Sequence, residues 1–185
     1  HQKIHHRMMS AELLSSSDER FRDLAPWGPV PSPPPGWTWK SLMLKALELA
    51  REAAAAEEIP VGAIVVDDGG LIVGQGRNET EALRDPSAHA EMLALRRAAR
   101  NVGNHRLGNC VLVVTLEPCL MCAGVIREAR VQGVVYGAHD VRAGAVESRL
   151  EGLSYADGPS PWHMGGVESR ACAELLRDFF RVRRC

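Results

Sequence analysis

Hydrophobic residues recur at every third or fourth position in three stretches of the chain, the spacing typical of an amphipathic helix. The first stretch covers residues 38–57, the second about 88–102 and the last about 168–181. A fourth helix is predicted to begin at Pro118, because proline lacks the backbone N–H that the first helical position leaves unpaired. The pattern therefore predicts four helices.

The segments between these helices are rich in β-branched residues and read as strands. "VGAIVVD" (61–67) and "LIVGQGR" (71–77) flank an Asp-Asp-Gly-Gly turn, which predicts a hairpin. "CVLVVTL" (110–116) is apolar throughout, as a strand buried on both faces should be. "VQGVVYGA" (131–138) is predicted to be the fourth strand.

The order of these elements predicts the fold class. Strands that alternate with helices pair in parallel, whereas the two strands of a hairpin pair antiparallel. The order helix, strand, strand, helix, strand, helix, strand, loop, helix therefore predicts an α/β fold. Its mixed central sheet lies between two layers of helices, in a three-layer α-β-α arrangement.

Residues 1–37 lack this patterning. "HQKIHHRMMS" contains three histidines and is interpreted as a tag remnant, with the natural start at Met8 or Met9. "APWGPVPSPPPGW" (25–37) is rich in proline, which favours an extended, flexible arm. We therefore expect an N-terminal extension over 1–37 and one folded domain over 38–185.

Composition narrows the function classes. Hydrophobic residues make up 45% of the chain, enough for a packed core. The net charge of −1 gives no overall positive field, so any RNA binding needs a local basic patch. No apolar stretch predicts a membrane helix or a secretory signal. We therefore expect a cytoplasmic protein without a membrane partner, in which closely spaced cysteines indicate metal or redox chemistry rather than disulfides.

The most informative cysteines lie in "TLEPCLMCAG", residues 115–124. Cys119 and Cys122 are expected one turn apart at a helix start, where the helix dipole favours thiolates. The motif alone is compatible with a zinc site, a redox dithiol or chance. His89 lies about thirty residues upstream in "DPSAHAEMLAL", at another predicted helix start, and would supply a third ligand under the zinc interpretation.

Three protein ligands are typical of a catalytic zinc, which keeps one position for water, whereas a structural zinc takes four. Glu91, two residues after His89, would then serve as a proton shuttle. Taken alone, Glu91 is better explained as a first-turn acid favoured by the helix dipole, and only its combination with His89 and the Pro-Cys-x-x-Cys helix favours the proton shuttle. Other residues of ligand type lack local ligand spacing: Cys110, Cys172, His105, His139 and His163. The two cysteines are interpreted as core residues, and His105 and His139 as surface or hydrogen-bonding groups.

The combination of H-A-E with P-C-x-x-C resembles the zinc-dependent nucleobase deaminases. A longer set of segments resembles the bacterial tRNA-specific adenosine deaminase family within that superfamily, over roughly residues 38–184. These segments are "EIPVGAIVV", "GRNET", "DPSAHAEMLALRRA", "NHRLGNCVLVVTLEPCLMCAGVI", "RVQGVVYGAHD", "AGA" and "CAELLRDFFRVRR".

The resemblance implies a cytidine deaminase-like fold with about five strands. It also implies that His89, Cys119 and Cys122 bind one zinc ion per chain and that Glu91 shuttles protons. In this family a zinc-activated water attacks C6 of adenine and ammonia leaves, which gives inosine.

Substrate contacts are implied in the same way. Asn78 would hydrogen-bond the flipped base, the backbone at Ala90 would orient it and Ile59 would line its pocket. Asp140 would lie near the ribose, and Phe180 would contact the RNA. From the residues alone, a turn residue is the preferred interpretation of Asn78. Ile59 is also compatible with simple hydrophobic packing, and Asp140 with a helix-capping or loop acid. A basic end accompanies Phe180, either for phosphate contact or as a solvated face: Arg177, Arg181, Arg183 and Arg184.

The implied partners are an anticodon stem-loop, with the wobble adenosine of an arginine tRNA as substrate, and a second copy of the chain in a homodimer. Two other readings stay open: a deaminase of free guanine or cytosine compounds, and a zinc-stabilised RNA-binding module without activity. One segment departs from the family. Where the family has a strand of about six residues, this chain has "PSPWHMGGVESRAC", with Trp162 in place of asparagine. This departure leaves the fifth strand open.

Overall fold

The computed structural model describes residues 30–183. The interpretation of residues 1–29 and the assignment of Arg184 to RNA contact fall outside this range. The described chain forms helices and strands with these bounds: α1 (Trp39–Ala55), β1 (Gly62–Asp67), β2 (Ile72–Arg77), α2 (Ala90–Val102), β3 (Cys110–Leu116), α3 (Leu120–Ala129), β4 (Gly133–Ala138), β5 (Trp162–Met164) and α4 (Ser169–Arg183). In this range, no helix is both long and apolar enough to cross a membrane.

The five strands form one sheet in the order β2-β1-β3-β4-β5. β1 pairs antiparallel with both β2 and β3. β4 pairs in parallel with β3 and with β5, because each of these connections crosses over the sheet. The predicted mixed sheet and the predicted hairpin are therefore confirmed.

Apolar side chains fill both faces of the sheet. Along β1, Ala63 and Val65 join the core beneath α2 and α3, whereas Ile64 and Val66 join the core beneath α1. Successive side chains of a strand point to opposite faces, and here both faces are covered by helices. This explains why the central strands are apolar at nearly every position instead of alternating.

Two glycines bring α2 unusually close to β2. A Cβ atom at Gly74 would lie 2.4 Å from the carbonyl oxygen of Ala94, and one at Gly76 would lie 2.7 Å from that of Ala90. Any side chain at these positions would push the helix away from the sheet. The glycines therefore set the position of the first turn of α2.

The fifth strand is present but has only three residues. The ring of Trp162 lies over Gly133 of β4, where a Cβ atom would approach it to 2.1 Å. The same ring meets Trp39 edge to face, with 5.7 Å between the ring centroids. The tryptophan that departs from the family pattern thus packs at the sheet edge, and the shortened strand persists beside it.

Residues 30–37 precede the predicted domain boundary and lie against the domain. The indole N–H of Trp39 donates to the carbonyl oxygen of Pro31 at 2.9 Å, and that of Trp37 donates to Gly70 at 2.8 Å. Val30 and Trp37 also pack against the core beneath α1. The division of the chain at residue 38 stays a prediction.

Candidate metal centre and active site

Two helix N-termini carry the predicted metal ligands. His89 is the N-cap residue of α2 and Cys119 is the N-cap residue of α3, both in extended backbone conformation. The sequence pattern predicts helix starts at about residue 88 and at Pro118, which places both residues two positions too far into their helices. Neither side chain caps its own helix, so each is available for other contacts. Cys122 lies within the first turn of α3 and is buried.

The three side chains converge. The Nδ1 atom of His89 lies 3.6 Å from the Sγ atom of Cys119 and 3.6 Å from that of Cys122. Zinc binds sulfur at about 2.3 Å and nitrogen at about 2.0 Å, so two such ligands at the tetrahedral angle lie about 3.5 Å apart. The donor atoms and their spacing therefore fit a tetrahedral zinc ion. Within residues 30–183 this is the one group of three or more potential ligands, all within 4.8 Å of one another.

The two sulfur atoms are electrostatically unequal. A hydrogen bond from Cys122, assisted by His89 and opposed by burial, lowers the pKa of Cys119 to about 4. The same hydrogen bond, together with burial, raises the pKa of Cys122. The contact with Cys119 raises the pKa of His89. The pair therefore holds one thiolate readily, and a divalent cation would favour the second by its own charge.

Glu91 lies in the first turn of α2, next to this group but not part of it. Its side chain is only 4% exposed. Burial raises its pKa, and its carboxyl group interacts with the Cys122 thiol. A carboxyl group whose pKa is raised holds a proton more readily than an exposed one and can pass it on during turnover. Glu91 is therefore placed to act as a proton carrier beside the metal ligands.

Asn78 is buried at the end of β2, with 7% of its surface exposed. Its backbone N–H donates to Val61 at 3.1 Å. Its side-chain Oδ1 accepts a hydrogen bond of 2.8 Å from the backbone N–H of Ala90. The side chain is thus directed at the start of α2, next to His89 and Glu91, and is not a surface turn residue.

The remaining predicted substrate residues lie on three other segments. Ile59 follows α1 and is 40% exposed. Asp140 follows β4, and its carboxylate accepts from the backbone N–H groups of Arg142 at 3.0 Å and Ala143 at 3.1 Å. Phe180 is 42% exposed on α4 and meets Phe179 edge to face at 5.4 Å. No hydrogen bond or ring contact within residues 30–183 joins Phe180 to the metal group.

The other Cys and His residues considered from the sequence are explained by burial or by contacts away from the metal ligands. Burial raises the pKa of Cys110 to about 11 and that of Cys172 to about 12, so both remain thiols. The Nε2 atom of His139 lies 3.1 Å from a carboxylate oxygen of Glu147. These residues lie outside the group of converging ligands.

Two buried carboxylates were not recognised from the sequence. Glu58 accepts hydrogen bonds from the Thr80 hydroxyl at 3.3 Å and from the backbone N–H of Ala82 at 2.8 Å. Glu117 accepts hydrogen bonds from the segment that follows β4. Burial opposes ionisation of Glu117, but these hydrogen bonds, led by those of Ser148, lower its pKa overall. The sequence feature that could have indicated these buried carboxylates is an acidic residue at the end of an apolar run.

Comparisons with known proteins show which family the chain resembles. A family model for the zinc-binding region of cytidine and deoxycytidylate deaminases matches residues 38–138. A tRNA-specific adenosine deaminase of Haemophilus influenzae is 45% identical over 146 residues, which cover 78% of this chain and 84% of that protein.

Two further matches extend the comparison. A tRNA(Ile)-lysidine synthase of Deinococcus deserti is 50% identical over 139 residues, and the chain spans about a quarter (26%) of its length. A solved structure from studies of A-to-I editing by tRNA:A34 deaminases at the wobble position has a TM-score of 0.69 and 38% identity. That match covers 74% of this chain and 99% of the other.

Proposed function

The chain belongs to the cytidine and deoxycytidylate deaminase zinc-binding family, and from this premise we propose that it hydrolyses adenosine to inosine at the wobble position of a tRNA anticodon. One arrangement supports this reaction most directly. Three ligands converge with the spacing of a tetrahedral zinc site, and Glu91 lies beside them without joining the group. The Haemophilus relative, matched over 84% of its length, is a tRNA-specific adenosine deaminase.

His89, Cys119 and Cys122 would hold one zinc ion per chain, and zinc bound there would supply a Lewis acid and an activated water at neutral pH. Glu91 would accept a proton at its carboxylate and return it to the leaving amino nitrogen. The overall reaction consumes adenosine and water and yields inosine and ammonia. A buried carboxyl group suits this task because water competes poorly for its proton.

Asn78 and Ala90 would hold the base at the N-terminus of α2. The Asn78 side chain is fixed by its bond to the Ala90 N–H, which leaves its amide nitrogen to donate to a base edge. The half-exposed side chain of Ile59 offers an apolar surface for the ring. Together these groups would position the base beside the metal ligands.

The anticodon loop of a tRNA is a suitable substrate because its bases are already partly unstacked and can enter a pocket. Phe180 on α4 offers an exposed aromatic surface for stacking, and Asp140 would contact the ribose. Arginines near the end of the chain would contact phosphates, so binding should weaken with added salt. We further propose an arginine tRNA as substrate, a homodimeric assembly and a cytoplasmic location.

A direct assay tests the proposal. The full chain is incubated with an arginine-tRNA anticodon stem-loop, with the same stem-loop carrying guanosine at the wobble position, and with free adenosine, cytidine and guanine. We expect inosine at the wobble position, located by sequencing, and none elsewhere. Activity on free bases or nucleosides alone would instead support a small-molecule deaminase, and RNA binding without conversion would support a binding module.

A further inference from the structure

Glu117 is a charged residue at the junction of β3 and the first metal-ligand helix. It directly follows the last residue of β3 and precedes Cys119 by two positions. Its side chain is only 2% exposed. A carboxylate is costly to bury, so it must be stabilised by several hydrogen bonds where it lies.

Five donors surround this carboxylate, and all come from the segment after β4. Oε2 accepts from the backbone N–H groups of Val146 at 3.1 Å, Glu147 at 3.0 Å and Ser148 at 2.9 Å. Oε1 accepts from the backbone N–H of Asp140 at 3.2 Å and from the Ser148 hydroxyl. No Lys or Arg side chain is among these donors, so the negative charge is balanced by backbone dipoles.

The segment over residues 139–148 contains neither helix nor strand. We call it the recognition loop, because it carries Asp140. Close packing adds to the hydrogen bonds, since a Cβ atom at Gly144 would lie 2.4 Å from the Glu117 carboxylate. The backbone N–H of Ala145 also donates to Pro118 at 2.8 Å. Without Glu117, four backbone donors of a loop with no regular ladder would lose their acceptor.

We propose that Glu117 is a positioning residue that holds the recognition loop, and with it Asp140, in a fixed place relative to the metal ligands, so that RNA recognition depends on it. This inference rests on the proposed function, in which Asp140 contacts the substrate. The Asp140 carboxylate closes a tight turn with residues 142 and 143, while Glu117 binds the Asp140 backbone from the other side. A shift of this anchor would move the recognition loop as a unit.

The substitution that tests this proposal is Glu117→Gln, which keeps the shape of the side chain but removes its charge. Each carboxylate oxygen accepts at least two hydrogen bonds, so an amide NH₂ group in either place would face donors instead of an acceptor. We expect KM for the anticodon stem-loop to rise about tenfold while kcat changes less than about threefold, the pattern of lost binding rather than lost chemistry. Zinc content, measured by mass spectrometry, should be unchanged.

Hydrogen exchange provides a readout that does not depend on activity. In Glu117→Gln, the amides of Asp140 and of residues 146–148 should lose protection, while those of β3 and β4 keep it. Glu151→Gln is the matched control, because it removes one exposed acid from the neighbouring loop and should change neither KM nor exchange. Ser148→Ala removes one donor and keeps the carboxylate, so it should raise KM less, in the same direction, even if Glu117→Gln folds poorly.

Three results would overturn the inference: an unchanged KM with unchanged exchange, a fall in kcat accompanied by loss of zinc at constant KM, or an equal effect of Glu151→Gln. Failure of the proposed function is recognised separately, because the wild-type chain would then leave the stem-loop unmodified. In that case the recognition role of Glu117 is rejected with it, and hydrogen exchange alone decides whether Glu117 orders the loop.

Discussion

The side-chain oxygen of Asn78 accepts a hydrogen bond of 2.8 Å from the backbone N–H of Ala90. This bond joins the end of β2 to the first residue of α2, between His89 and Glu91. The N–H groups of the first helical turn have no partner within the helix, so an outside acceptor fixes where the turn lies. Asn78 therefore helps to orient both the metal ligand and the proton carrier.

Replacement of this acceptor should lower stability as well as activity. In Asn78→Ala, the buried N–H of Ala90 loses its partner, which costs about 1–3 kcal/mol of unfolding free energy. Urea denaturation measures this loss. Asn109→Ala, at an exposed position, should change the unfolding free energy by less than about 0.5 kcal/mol. Equal stability of the two variants would contradict the role of Asn78.

Glu91→Gln should separate chemistry from folding. The amide cannot carry the proton, so turnover on the stem-loop should fall about 10²- to 10⁴-fold. The unfolding free energy should hold or rise, because burial disfavours the charged carboxylate that the amide replaces. Glu128→Gln, on the exposed side of α3, should retain full activity. Wild-type turnover in Glu91→Gln would exclude Glu91 as the proton shuttle.

Metal removal should change the reactivity of selected cysteines. We expect one zinc per chain, lost in Cys119→Ala and on treatment with a strong chelator. At pH 6 the chelated protein should be alkylated by iodoacetamide at Cys119, because the pKa of this thiol is lowered to about 4. Cys110 and Cys172, with pKa values raised to about 11 and about 12, should remain unlabelled. Peptide mass spectrometry identifies the labelled sites. Equal labelling of Cys119 with and without chelator treatment would argue against its role as a metal ligand.

Close packing of α2 on β2 should be sensitive to a single methyl group. In Gly76→Ala, the new Cβ would lie 2.7 Å from the Ala90 carbonyl oxygen and 2.8 Å from the Ala94 nitrogen, both backbone atoms. We expect a loss of about 1–3 kcal/mol in stability and weaker zinc binding. Gly124→Ala is the control, because nothing lies within 4 Å of its Cβ position and alanine favours the helix by about 0.5–1 kcal/mol. Thermal melts should therefore shift in opposite directions.

Asp85, which lies just before α2 in the chain, should make the stability of the protein depend on pH. Its side chain accepts hydrogen bonds from the Ser87 hydroxyl at 2.7 Å and the Ser87 N–H at 2.8 Å, which lower its pKa. A carboxyl group with a lowered folded-state pKa stabilises the protein at pH values above its unfolded-state pKa of about 3.9. This contribution is lost as the pH falls through the folded-state pKa. Wild type should therefore exceed Asp85→Asn in stability at pH 7, and the difference should vanish in strong acid. Denaturation at several pH values checks this, with exposed Asp157→Asn expected to match wild type throughout.

Regular elements were largely predictable from hydrophobic patterning. The strand predicted over 110–116 matches β3 residue for residue, and the hairpin and all four helices are present. The predicted starts of α2 and α3 each lie two positions too early, because His89 and Cys119 keep the extended backbone of N-cap residues. The sequence does not decide the short β5, because its existence depends on the packing of Trp162 over Gly133 rather than on strand propensity.

By itself, the sequence determined the order of the elements, the two helix starts and the types of residue that each presents. These features depend on local periodicity and composition, which can be read directly from neighbouring residues. The tertiary structure alone decided that His89 and Cys119, thirty positions apart, place their ligand atoms 3.6 Å from each other. That distance follows from packing α2 and α3 on the same face of one sheet. It likewise decided which backbone N–H groups surround Glu117, because those donors lie 23 to 31 positions away and no local pattern records them.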